Sequence, residues 1–230
     1  MVSVLAAIAL IPSAPVLVPE LTGTAAAEVA DLRDAVISAA SSLPRRWIAV
    51  GVGCADEVIG AQCAGTFAGF GADVPVGLSP SADVERELPL CALVAAWVRG
   101  QANPDADVQV RVYAGGHDSD SALSGGKVLR TDIERTGDPI GVLVVADGAN
   151  TLTPRAPGGY RPPDIGVQHA LDEALAGGDT AVLTTLPGQV VGAVAFAVLA
   201  GLIEPAPRAA KELYRGAPFG VGYFAGVWQP

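Results

Sequence analysis

Three stretches of this chain are apolar at nearly every position: Val2 to Ile11, closed by Pro12, then Trp47 to Val52 and Ile140 to Ala146. A strand without alternation has both faces covered, so these runs predict central strands of a sheet with helices on either side. Val108 to Tyr113 alternates apolar with polar residues and predicts a further strand. Between the runs the apolar spacing turns helical. From Thr24, a candidate N-cap, to about Ser42, the residues Val29, Leu32, Val36 and Ile37 share one face, while Glu28, Asp31 and Asp34 face water; Pro44 ends the helix. Leu88 to Arg99 repeats the pattern with Leu90, Leu93, Val94 and Trp97 inward.

The second half predicts a helix over Val167 to Leu175 ended by Gly177-Gly178, then a short one capped by Asp179 that runs to about Thr185. A fully apolar helix follows over Gly188 to Leu202, and Gly220 to Trp228 predicts a last strand. The Gln189 to Ile203 stretch is too short to cross a bilayer, which needs about 20 residues, and reads as a buried helix. Gly51 and Gly53 are expected to allow a sharp turn at the end of their strand. Phe67 to Pro75 is glycine-rich and irregular with at most a short strand. Gly115 to Asp120 reads as a loop, and the Pro- and Gly-rich segment Thr151 to Pro163 as a long one, a length more often tied to function than to chance. Strands alternating with helices describe an α/β fold, and the expected architecture is a single domain over residues 1–230 with a mostly parallel central sheet flanked by helices.

Composition narrows the classes of function. Half of the 230 residues are apolar, enough for a sizeable core without disulfides or metals. With 14 Lys and Arg against 24 Asp and Glu the net charge is −10, and no basic stripe exists to displace counterions from nucleic acid or to hold an anionic membrane. The three cysteines, Cys54, Cys63 and Cys91, cannot all pair and lack Cys-x-x-Cys spacing, so they read as reduced, mostly buried thiols. The apolar opening run has no positive charge before Arg33, which favours a buried strand over an export signal, and the expected location is cytoplasmic.

Several short motifs carry a resemblance. The loop Ile11-Pro12-Ser13-Ala14-Pro15-Val16-Leu17-Val18-Pro19-Glu20 follows the opening strand, and Val145-Ala146-Asp147-Gly148-Ala149-Asn150 follows a later one. With Leu88-Pro89-Leu90, Ala156-Pro157-Gly158, the helix before Gly178-Asp179, and the closing Gly220-Val221-Gly222-Tyr223, they run in order over nearly the whole chain. The series resembles the class III extradiol ring-cleavage dioxygenases, the subunit-B family that includes the Memo-like proteins. That resemblance implies a corresponding α/β fold and an Fe(II) held by two His and one Glu, with open positions for a catechol and O₂. The first ligand His of the family corresponds to Ser13. The second would follow the Trp47–Val52 strand, where Cys54-Ala55-Asp56-Glu57 stands, and the Glu would fall near the Gly188 helix, yet no Asp or Glu occurs between Thr180 and Ile203. The family's Gly-Asp-x-Ser-His landmark, whose His does acid–base work, here ends in Asn150; of that apparatus Asp147 persists. The resemblance therefore implies a divergent member, a pseudoenzyme with a degenerate metal site.

Other groups offer chemistry. His117, Asp118 and Asp120 have donors for a divalent cation, or they form a solvated loop whose carboxylates accept from backbone amides. His169 lies beside Asp172 and Glu173 on a helix and reads as a surface residue. Asp147 ends a buried strand, the edge where open α/β sheets bind ligands, or else it is a structural carboxylate capping the Gly148–Thr151 turn. Asp56 and Glu57 lie at the same kind of edge and are candidates for a paired-carboxylate site. Cys54 is either a nucleophile or an inert buried thiol. Ser124-Gly125-Gly126-Lys127 lacks the first glycine of a phosphate loop, Gly51-Val52-Gly53 lacks the third glycine of a dinucleotide fingerprint, and no Gly-x-Ser-x-Gly elbow occurs.

Two functional classes follow. The first is a non-catalytic small-molecule-binding or assembly protein, without a cofactor and able to form a homo-oligomer. Its pocket is expected to comprise Ser13, Cys54, Asp56, Glu57, His117, Asp147 and Asn150. The alternative is a metal-dependent oxidoreductase of the ring-dioxygenase type, or a hydrolase, using Fe(II) or another divalent metal at a relocated site drawn from His117, Asp118, Asp147 and Glu57. Convergence of His117 and Asp147 separates the two. A purely structural partner of another subunit would instead expose a large apolar patch.

Overall fold

The computed structural model describes residues 4–230, apart from the side chains of Thr24 and Ala25. Its strands are β1 (Leu5–Ile11), β2 (Arg46–Gly53), β3 (Glu57–Ile59), β4 (Cys63–Thr66), β5 (Pro75–Gly77), β6 (Val84–Glu85), β7 (Asp107–Ala114), β8 (Ile140–Val145), β9 (Ala209–Gly216) and β10 (Tyr223–Gln229). The helices are α1 (Pro19–Thr22), α2 (Ala30–Ala40), α3 (Leu90–Ala102), α4 (Ser119–Glu134), α5 (Asp164–Gly177), α6 (Thr180–Leu183) and α7 (Ala193–Leu202).

Seven strands form one sheet in the order β3-β7-β2-β8-β1-β10-β9. The central four, β7-β2-β8-β1, are parallel throughout, with Ile11 level with Val145 and Gly51 level with both Val145 and Val112. All four therefore deliver their following loops to one edge. The flanking pairs β3–β7, β1–β10 and β10–β9 are antiparallel. The sheet is thus mixed, not mostly parallel as expected, because β9 and β10 form a hairpin with no crossover helix between them. A second sheet, β5-β4-β6, was not expected. The glycine-rich Phe67–Pro75 stretch lies within it, a 3-10 turn at Phe67–Phe70 leading into β5.

Both faces of the large sheet are covered, which is why β1, β2 and β8 read as unbroken apolar runs. On one face α2 and α3 pack Leu32, Val36, Leu93 and Trp97 against Ile11, Ala49 and Val145. On the other, α4, α5 and α7 pack Leu129, Ile133, Leu171, Phe196 and Leu199 against Ile8, Val50 and Val144. Two indoles are anchored inside: Trp228 donates from Nε1 to the Leu175 carbonyl at 2.7 Å, and Trp47 donates to that of Pro44. α4 and α7 cross with almost no separation. A β-carbon on Gly126 would lie 2.0 Å from the Val198 carbonyl oxygen, and one on Gly201 would lie 2.0 Å from that of Leu123.

Several local expectations change. The opening strand begins at Leu5; Val2 and Ser3 lie outside the described residues. Residues 23–29 form a 3-10 stretch, so α2 starts at Ala30 rather than at Thr24, whose capping side chain lies outside the described atoms. Ser119 and Asp120 belong to α4 rather than to a loop, and Ser124–Lys127 sit in that helix. Gly188 to Gly192 precede α7 as turns, with Gly192 donating to the Asp147 carbonyl at 2.8 Å. Gly51 and Gly53 make no turn: both belong to β2, and a β-carbon on Gly51 would meet the Cys91 side chain of α3 at 2.3 Å. Among the described residues no helix is long and apolar enough to cross a membrane.

Candidate functional site at the sheet's carboxyl edge

The four parallel strands bring the sequence candidates to one edge: Ser13 follows β1, Cys54 to Glu57 follow β2, His117 follows β7, and Asp147 to Asn150 follow β8. The side chains then separate into distinct arrangements.

Asp56 and His117 form a dyad. The imidazole Nε2 lies 2.7 and 2.9 Å from the two Asp56 carboxylate oxygens, and the Ala114 amide donates to Oδ1 at 2.7 Å. The Ala114 amide, and then His117, hold the Asp56 carboxyl below its ordinary range. This carboxylate orients the ring and leaves Nδ1 as the nitrogen available to another group. His117 also lines a cavity of about 320 Å³ beside α7, whose walls include Leu183, Leu186, Val190, Val194 and Ala197. Asp118 accepts from the Ser121 amide at 2.8 Å and caps α4, while Asp120 lies in the first helical turn.

Asp147 belongs to a different arrangement. Its Oδ1 accepts from the Ser13 amide at 2.8 Å, so it joins the β1 loop to the end of β8 instead of capping the Gly148–Thr151 turn. Burial pushes the carboxyl up to about 7, and the Ser13 N–H only partly offsets this. Tyr223, itself buried, has its phenol raised by burial and then by the nearby Asp147 charge. The backbone around Asp147 is stitched on two sides: Gly148 donates to Gly222 at 2.8 Å, Gly222 donates to Ala149 at 2.8 Å, and Val191 donates to Gly148 at 3.1 Å. The Ala149 amide donates to Gln168 Oε1 at 2.8 Å, and the Gln168 amide donates to Asp172, whose carboxyl burial raises to about 6. Asn150 packs its Oδ1 against Gly158, where a β-carbon would lie 2.3 Å away.

Glu57 departs from the crevice: it starts β3 and takes Arg86 Nη2 at 2.6 Å, so Asp56 and Glu57 do not act as a carboxylate pair. Cys54 is exposed, whereas Cys63 and Cys91 are buried, and burial pushes the Cys91 thiol up to about 11. His169 is exposed on α5, with Nε2 4.0 Å from Glu173. The Asp56–His117 pairing was not foreseen; it spans 61 positions, and nothing local in either segment signals it.

The Fe(II) implied by the resemblance can be tested against these donors. Ser13 offers a hydroxyl in place of an imidazole, Asp56 is engaged by Ala114 and His117, and the lead-in to α7 supplies no carboxylate. Among the described residues no three His, Cys, Asp or Glu side chains are grouped to hold a metal, and His117 and Asp147 share no hydrogen bond. The donor set does not fit a two-His, one-carboxylate centre.

No protein-family model matches the chain, and no curated protein does. Among solved structures, the crystal structure of an uncharacterized protein from Escherichia coli K12 is similar, with a TM-score of 0.59 and 9% sequence identity, covering 98% of this chain and 100% of that one. At that identity the likeness concerns the fold alone: an α/β architecture with a large mixed sheet flanked by helices.

Proposed function

We propose that this protein is a divergent class III extradiol dioxygenase-like protein that binds a small molecule at the carboxyl edge of its sheet without an Fe(II) centre. The observation that carries this reading is His117, held from behind by Asp56, on the wall of a cavity of about 320 Å³ lined by Leu183, Leu186, Val190, Val194 and Ala197 together with Asp118 and Ser119. Ligand pockets of that kind combine an apolar lining with a few fixed polar groups, and about 300 Å³ is the lower end of their range. A single aromatic ring or a short acyl group matches the volume. Asp56 fixes the ring of His117, whose free nitrogen then exchanges a hydrogen bond with a hydroxyl of the ligand. Ser13 and Asp147 serve as the latch that holds the β1 and β8 loops together.

The test is a calorimetric titration of anaerobically purified protein with Fe(II), followed by catechol with oxygen uptake monitored. The expected result is no stoichiometric Fe(II) binding, catechol binding that is lost in His117→Ala, and no oxygen consumption. Stoichiometric iron together with catechol-dependent oxygen uptake would sink the reading and favour a ring-cleaving enzyme.

A further inference from the structure

We propose that the large cavity between the β5-β4-β6 sheet and α3 is a second ligand site, and that it takes a small molecule carrying one carboxylate on an apolar body, with Arg99 as the anchor. The cavity measures about 1030 Å³, and none of Ser13, His117 and Asp147 lines it, so it is separate from the carboxyl-edge site.

Arg99 projects from α3 into the cavity wall and is only 9% exposed. Its Nε donates to the Gly77 carbonyl at 2.8 Å, and Nη1 donates to that of Pro104. These neutral acceptors fix the guanidinium plane, and burial disfavours its charge more than the fields of Asp107 and Asp105, which act from beyond ion-pair distance, support it. Among the described residues no carboxylate lies within ion-pair distance of it, which is unusual for an arginine this deeply placed. The remaining nitrogen, Nη2, makes no hydrogen bond to protein. No sealed side-chain nitrogen or oxygen among the described residues lacks a partner, so Nη2 is open to solvent. A held guanidinium on a cavity wall with an unused donor that is not sealed off is preorganised for a carboxylate, and little ordering cost remains to be met on binding.

The rest of the lining sets the class of ligand. Val76, Leu88, Leu93 and the half-exposed Phe70 ring offer apolar contact. Glu85 and Glu87 stand exposed at the rim, and Asp73 is engaged by Thr66 at 2.6 Å. Arg86 is neutralised by Glu57. One internal cation behind an acidic rim admits a single negative charge and opposes a phosphate dianion.

Calorimetric titrations with octanoate, 1-octanol and inorganic phosphate test this on the intact protein and on the variants Arg99→Lys, Phe70→Ala and His117→Ala. Octanoate is expected to bind, octanol at least about tenfold more weakly, and phosphate not at all up to about 10 mM. Arg99→Lys, which loses the planar fork, is expected to weaken octanoate about tenfold or more. Phe70→Ala, which removes a half-exposed ring packed edge-to-face on the buried Phe67 and whose fold is checked by its urea midpoint, is expected to weaken it several-fold, and His117→Ala to leave it unchanged. The assignment is overturned if octanoate fails to bind, if octanol or phosphate matches it, if Phe70→Ala binds as the wild type does, or if His117→Ala abolishes binding and so places octanoate in the other cavity. The octanol and Phe70→Ala comparisons decide the matter even where Arg99→Lys fails to fold.

Discussion

Replacing Asp147 by Asn should stabilise the protein at alkaline pH. Burial holds this carboxyl at about 7 against an ordinary value of 3.8, so the folded state keeps a proton that the unfolded chain has already released. The folded value is the higher one, and the sign follows: as pH rises from about 4 to about 7, the unfolded state binds fewer protons than the folded state and stability declines. Each tenfold difference in proton affinity is worth about 1.4 kcal/mol, so at pH 8 the ionised carboxylate costs the fold on the order of 4 kcal/mol at most. That figure already includes the favourable Ser13 amide, from which the Asn carbonyl oxygen can also accept, and relaxation around the ionised group lowers it further. A gain of about 1–3 kcal/mol at pH 8, shrinking to near zero at pH 4, is the expected difference between Asp147→Asn and wild type. Urea unfolding at a series of pH values measures it, and subtracting the two profiles cancels the similar contribution of Asp172. A variant that is less stable than wild type at pH 8 would refute the reasoning, because the ionised carboxylate would then be a favourable partner of Ser13.

Three other changes probe separate features. Gly126→Ala should destabilise by about 3 kcal/mol despite the roughly 1 kcal/mol that Ala adds to a helix, because its β-carbon meets the α7 backbone; the urea midpoint checks this. His117→Ala should return the Asp56 carboxyl part of the way towards its ordinary range, leaving the Ala114 amide to hold the remainder; carboxyl carbon shifts followed by NMR through the acid range would show it. Ellman's reagent should label one thiol per native chain, Cys54, and reach Cys63 and Cys91 only on unfolding; prompt labelling of two or more would contradict their burial.

The central strands were legible because a strand covered on both faces leaves an unbroken apolar run, as in β1, β2 and β8. What escaped was structure whose stability comes from distant partners. β4, β5 and β6 have between two and four residues, too few for alternation to emerge, and β9 carries Lys211, Glu212 and Arg215 on an edge, where charge masks the strand. α4 was hidden by Gly125 and Gly126, which weaken helix propensity, although Gly126 is required by the α7 crossing and Gly125 by the Tyr113 ring of β7. At the site, the positions of Ser13, Asp56, His117 and Asp147 at strand ends followed from the pattern of runs. Their pairing did not: Asp56 with His117 and Ser13 with Asp147 are set by register between strands far apart in sequence.

The absence of side chains where α4 meets α7 reaches beyond packing. At Gly126 and Gly201 the two helices meet backbone against backbone. Asp118, the cap of α4, directly follows His117, and α7 supplies Val194 and Ala197 to the facing wall of the same cavity. The crossing therefore ties together the two elements that flank that cavity. A single added methyl at residue 126 would push the two helices apart without touching any residue that lines the cavity, so under the proposed binding role Gly126→Ala is expected to change which ligands fit through a contact buried away from them.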